Sequence, residues 1–265
     1  MRFNNTLLTA LTSAGLVSAV ALPDADRDAN LTVKNRNDEG KVPTRGLLRA
    51  RGDAKITDDD LDDLDIDDDT WEKYSSFCST SSPSKRTIFS RETQQSPAGT
   101  PIPDGFESRH WVLYGKHDGE WQGVTSANPW TSMLVSCFGL TIIGDVKLPD
   151  HEDRVLAHFL ATQDNIKMLW DMVMDTAKHT DNKRAYLSVP DLENGLPDSW
   201  DDSLTDMSKK LQDLLSSKIK EFTGKAPWVA THNMMEAANL QNWQGYMTVK
   251  DQRVTINNVD VTDNL

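Results

Sequence analysis

Apolar positions fall into three regimes along the chain. The first is one short, mostly apolar run from Leu7 to Val17, preceded by Met1-Arg2 and followed by Ala19-Val20-Ala21. A charged start, a short greasy middle and an A-x-A end predict a cleavable secretory leader over residues 1–21, so that the exported chain opens at Leu22-Pro23. The run is too short for a permanent bilayer-crossing helix. In the second regime, residues 22–105, no helical or strand period is sustained, and Asp, Arg, Asn, Ser and Pro dominate. This predicts a disordered acidic pro-region or linker.

The third regime, residues 106–265, is patterned throughout. His110-Trp111-Val112-Leu113-Tyr114 reads as a strand rich in aromatic and branched residues. Thr131 to Val146 is mostly apolar and broken at Gly139 and Gly144, as in one or two buried strands, and Arg154 to Ala161 is a further strand candidate. Ile166, Leu169, Trp170, Val173 and Ala177 recur at helical spacing behind a possible cap at Thr162. Ala185 to Val189 reads as a strand stopped by Pro190. Leu204, Met207, Leu211, Leu214, Leu215, Ile219 and Phe222 make the stripe of a second helix, capped by Ser203 and ended by Gly224. Trp228-Val229-Ala230 and Gly245 to Ile256 read as strands, with Asp251-Gln252 at a hairpin tip. The order β-β-β-α-β-α-β-β predicts an α/β (α+β) fold, a single mixed β-sheet domain with packed helices over 106–265.

Charge narrows the partners. Acidic residues number 41 against 28 basic, a net charge of −13, which argues against a nucleic-acid backbone. Nine of the twelve residues from Asp58 to Asp69 are aspartate, a run expected to repel itself and stay solvated. A calcium site is the functional alternative for that run, which lacks the glycine and terminal Glu of an EF-hand loop; no C-x-x-C or H-E-x-x-H is present, so a structural zinc is not expected. Asn30-Leu31-Thr32 is the one glycosylation sequon of the exported chain. Lys85-Arg86 is a dibasic pair, and a processing protease cutting after Arg86 would make residues 22–86 a pro-segment.

Candidate chemistry centres on Cys137 and His158. A cysteine and a histidine on apolar strands are compatible with plain core packing, or with a thiolate nucleophile and the imidazole that takes its proton. The chain has two cysteines, and in an oxidising compartment Cys78 and Cys137 could pair, which would block the nucleophile. His151 is a rival for the base; His232, beside Asn233, borders a short strand. His110, His117 and His179 fall in polar or edge contexts. The eight tryptophans, Trp111, Trp121, Trp130, Trp170, Trp228 and Trp243 among them, read as core and rim rather than a sugar platform, with a lectin-like module as the open alternative.

The pattern Thr131-x5-Cys137, with Ser136 just before the cysteine and Ala157-His158-Phe159-Leu160 on the next strand, resembles the chemoreceptor glutamine deamidases of the CheD type. It is also similar to the Cys–His arrangement of necrotizing-factor toxins that deamidate small GTPases. The resemblance extends over residues 131–258 or so, because the family's later order of helix, strand, helix and β-hairpin matches the pattern above. It implies that Cys137 attacks a glutamine carboxamide, His158 acts as base and Thr131 orients the site, with no cofactor. This sequence departs from the family in three places. Val135 stands where the family has a glycine; Ser188-Val189-Pro190 replaces an expected Gly-Gly segment; and Val146 to Asp153 lengthens the Cys-to-His spacing.

Together these features lead to the expectation of a secreted cysteine-dependent amidohydrolase, a protein-glutamine deamidase whose partner is a protein with an exposed glutamine. The layout of leader and pro-segment resembles fungal secreted proteins, which implies an effector or toxin able to enter a host cell. Two alternatives remain open: a non-catalytic interaction protein on the same fold, and a transglutaminase or cysteine protease using the same acyl-enzyme.

Overall fold

In a computed structural model, the structure describes residues 54–80, 96, 99–112, 115–117, 120–122, 128–146 and 153–265. The expected leader, Asn30, Arg86 and His151 lie outside the described residues.

In chain order the elements are α1 (Asp58–Asp62), α2 (Asp68–Thr80), a 3₁₀ turn (Ser108–His110), β1 (Gly115–His117), β2 (Glu120–Gln122), β3 (Trp130–Thr131), β4 (Phe138–Val146) and β5 (Arg154–Phe159). There follow α3 (Gln163–Ala177), β6 (Thr180–Pro190), α4 (Asp202–Thr223), β7 (Trp228–His232), α5 (Met234–Ala238), β8 (Met247–Lys250), β9 (Arg253–Ile256) and β10 (Val259–Asp260). The fold is α+β, as expected.

Among the described residues, the strands form two four-stranded sheets rather than one, beside the small β1–β2 hairpin. One sheet has the order β5-β4-β6-β7, antiparallel except for the parallel β6–β7 pair. The other has the antiparallel order β10-β9-β8-β3. The division has a local cause. The apolar stretch expected as one or two strands breaks after Thr131, and Met133 adopts a left-handed φ of 62° inside the break. β3 then joins β8, whereas β4 joins β5 and β6.

Strand alternation sends successive side chains to opposite faces. On β4, β5 and β6, Leu140, Ile142, Val155, Ala157, Ala185 and Leu187 face α3 and α4 in the larger core. Cys137, Ile143, Leu156 and Tyr186 face the opposite way, against Met247, Val249, Val254 and Ile256 of the second sheet. The described residues from 54 to 265 are thus layered as helices, sheet, sheet. α3 and α4 follow from their stripes: Ile166, Leu169, Trp170 and Val173 are buried on α3, and Leu204, Met207, Leu211, Leu215 and Ile219 on α4. Thr162 caps α3, as expected. Asp201, not Ser203, caps α4, because its carboxylate accepts from the Leu204 N–H at 3.1 Å while Ser203 hydrogen-bonds Asp201.

Two further expectations are corrected. The segment from His110 does not open as a strand: His110 closes the 3₁₀ turn and Trp111 makes an isolated bridge to Trp130, while Leu113 and Tyr114 lie outside the described residues. The acidic stretch is not uniformly disordered either. Thr57 and Asp60 form a reciprocal capping box on α1, and Ile56, Leu61, Trp71 and Tyr74 are buried in the larger core. The aspartates stay on the outer side, where lysines of the domain meet them. Asp60 contacts Lys218 at 2.9 Å, Asp58 pairs with Lys167, and Lys73 of α2 reaches Asp201. Burial alone would raise the Asp60 pKa, but hydrogen bonds from Lys218 and Thr57 outweigh it and hold the carboxyl below its usual range. Trp170 Nε1 donates to the Ala54 carbonyl, and Lys210 donates to the Leu64 carbonyl at 2.6 Å. Apolar burial and charge complementarity therefore dock residues 54–80 on α3 and α4.

Candidate functional site

The candidate residues converge between the two sheets. Gly139 of β4 pairs with His158 of β5 on one side and with Ser188 of β6 on the other. Ser188 in turn pairs with Ala230 of β7, two residues before His232. Cys137 lies two residues before Gly139 and packs in the inter-sheet core. Gly139 lets the second sheet approach this row: a Cβ there would lie 2.7 Å from Leu134 Cδ1 and 3.1 Å from Met247 Sδ.

Thr131 points into the same layer. Its hydroxyl donates to the Val112 carbonyl at 2.7 Å. Its oxygen also lies 2.9 Å from His158 Nδ1. A hydroxyl has one proton, and a carbonyl can only accept, so Thr131 must accept from His158 Nδ1–H. The imidazole lone pair is thereby placed at Nε2, the arrangement a general base needs. Burial, with the neighbouring His232 adding to it, pushes the His158 pKa down to about 3, so the ring is neutral.

His232 has the opposite tautomer. Its Nε2 lies 3.1 Å from the Val135 carbonyl, which fixes a proton on Nε2. Nδ1 then accepts from the Ser188 hydroxyl at 2.9 Å. Burial lowers the His232 pKa to about 4, against the opposing effects of the Val135 carbonyl and Asp191.

The segment from Ser132 to Cys137 is held from several sides. Trp111 Nε1 donates to the Ser132 hydroxyl at 3.1 Å, and the Leu134 N–H donates to the Gly245 carbonyl. The Tyr74 hydroxyl of α2 donates to the Ser136 carbonyl at 2.9 Å. Cys137 itself is disulfide-bonded. The chain's one other cysteine, Cys78, belongs to α2. Thr131, Cys137, His158, Ser188 and His232 are all buried. The site is therefore closed in this state, with its sulfur oxidised and both imidazoles neutral.

Of the residues singled out from sequence, Thr131 and His158 are hydrogen-bonded, and Cys137, one residue before β4, packs in the layer between the two sheets. His110 and His179 are half-buried and outside this layer. Ser188 and Tyr74 carried no functional signal in the sequence, and His232 carried only its place next to a short strand. No protein-family profile, curated protein or solved structure matches this chain. Among the described residues, no cluster of His, Cys, Asp or Glu is arranged to hold a metal ion, and no helix is long and apolar enough to cross a membrane.

Proposed function

We propose that the protein is a secreted, latent cysteine amidohydrolase that converts a glutamine of a protein substrate to glutamate. The observation that carries this reading is the Thr131–His158 hydrogen bond, which leaves a base-competent lone pair on Nε2, beside the layer between the sheets where Cys137 packs. The Cys–His–Thr resemblance supports the same assignment.

The chemistry begins with reduction. A thiol reductant of the glutathione or dithiol class supplies two electrons and two protons, and the disulfide becomes two thiols. Without the disulfide, α2 is held only by its buried side chains and ion pairs; its displacement from Ser136 admits water, which returns the His158 pKa toward the ordinary value of about 6.5. His158 Nε2 then takes the Cys137 proton, and the thiolate attacks the carboxamide carbon, forming a C–S bond. Backbone N–H groups around Cys137 receive the oxyanion. The C–N bond breaks, and ammonia departs with the proton held on His158. Water, deprotonated by His158, attacks the thioester; the C–S bond breaks and releases glutamate and the Cys137 thiol.

The full exported chain, reduced and incubated with a glutamine-bearing protein mixture, is expected to release ammonia, and the Cys137→Ala variant is not. Equal release by both defeats the proposal. Incorporation of an added primary amine in place of hydrolysis would reassign the acyl-enzyme to transglutamination.

A second reading has its own observation. A buried, disulfide-bonded Cys137 with Val135 beside it also suits an interaction protein that keeps the fold and uses the cysteine as a staple. That protein would retain its partner in a pull-down with Cys137→Ala and release no ammonia.

A further inference from the structure

We infer that His232 is a positioning residue for the segment that carries Cys137, holding it through the Val135 carbonyl. Its role in turnover rests on the deamidase reading above, while its effect on the Cys137 sulfur does not.

The geometry runs across three elements. The Ser188 hydroxyl on β6 donates to His232 Nδ1 at 2.9 Å, and His232 Nε2–H on β7 donates to Val135 O at 3.1 Å. Ser188 and His232 are both fully buried, so neither bond is exchanged for water at low cost. A trans peptide is planar, so fixing the Val135 carbonyl also fixes the direction of the Ser136 N–H in the same plane. The next plane is fixed in the same manner by Tyr74, whose hydroxyl donates to the Ser136 carbonyl and so sets the Cys137 N–H. The two peptide planes that precede the sulfur are thus set by two side chains remote in sequence.

These clamps differ in origin. Tyr74 belongs to α2, the helix that carries Cys78 and lies upstream of the dibasic pair. His232 belongs to the domain. When α2 departs, the Ser136 clamp goes with it and the Val135 clamp stays. His232 therefore preserves the cysteine segment in the released state. It also gives Val135, a residue without the conformational freedom of glycine, a fixed carbonyl orientation.

The test separates a specific donor from mere filling of space. His232→Gln places an amide N–H near the position of Nε2, whereas His232→Asn reaches only as far as Nδ1. In the reduced full chain, the alkylation rate of Cys137 by iodoacetamide is read by peptide mapping, which distinguishes it from Cys78. The rate is expected to change about tenfold in His232→Asn and to stay within about twofold of the wild type in His232→Gln, as befits loss of one buried hydrogen bond. Identical rates for the two variants overturn the inference. Should either variant fail to fold, the ¹⁵N spectrum of the wild-type imidazole decides: an Nε2–H tautomer for His232 is expected, and an Nδ1–H tautomer overturns it. Absence of ammonia release alongside the expected alkylation pattern would remove the deamidase and leave the positioning role standing.

Discussion

Thr131 and His158 form one hydrogen-bonded unit, in which Oγ1 lies 2.9 Å from Nδ1 while its own proton is committed to Val112 O at 2.7 Å. Thr131→Val removes both bonds inside the core. The expected cost is about 1–3 kcal/mol of stability, read from urea denaturation. Loss of the tautomer lock is expected to reduce ammonia release by about 10²-fold or more, within the range of general-base contributions. Thr131→Ser keeps the hydroxyl and is expected to retain most activity.

Acid should open the protein. His158 and His232 have folded pKa values of about 3 and about 4, both below the unfolded value near 6.5. In the interval the unfolded chain binds more protons, so stability is full above about pH 6.5 and declines as pH falls toward 4 and 3. Each histidine contributes a slope of up to about 1.4 kcal/mol per pH unit in its window. Urea midpoints measured from pH 7.5 to 4 check this. A flat profile across that range would show that neither ring is held neutral.

Gly139 keeps the sheets in contact. Gly139→Ala drives a Cβ against Leu134 Cδ1 at 2.7 Å, and the expected loss is about 1–3 kcal/mol. Leu134→Val in the same chain is expected to recover part of that loss, since the obstructing atom is a side-chain methyl. A double-mutant cycle on thermal stability measures the coupling.

The α2 clamp has a testable single atom. Tyr74→Phe deletes the hydroxyl that binds Ser136 O and Ser208 Oγ, both buried. Burial also pushes that phenol's pKa well above its ordinary value, so it is a donor at any working pH. The expected cost is about 1–2 kcal/mol. Faster reduction of the Cys137 disulfide should accompany it, read by thiol titration over time.

How far the sequence revealed all this depends on the residue. α3 and α4 were legible because stripes such as Leu204, Met207, Leu211 and Leu215 obey a helical period over several turns. The Thr131–His158 contact was legible only through the motif, because residues 27 apart in sequence carry no periodic signal of meeting. α1 and α2 were hidden by their aspartates. Leu61, Trp71 and Tyr74 are too few to outweigh nine acidic residues in a composition window, yet they carry the docking. The visible trace was the Thr57-x-x-Asp60 cap, with Trp71 and Tyr74 three residues apart. The Ser188–His232–Val135 relay left none, since it depends on β6 and β7 pairing in parallel around α4. The two-sheet division was likewise unreadable: Thr131 to Val146 is almost uniformly apolar, and Met133, where the chain turns, is an ordinary residue in a left-handed conformation.

In the proposed function, Cys137 is a nucleophile kept latent by its own disulfide. Ammonia release from a glutamine-bearing protein mixture by the chain from Leu22 onward, before and after treatment with a dithiol, probes this latency. Silence before reduction, release after it, and silence throughout for Cys137→Ala are expected. Release by the oxidised chain, or by Cys137→Ala after reduction, would contradict it.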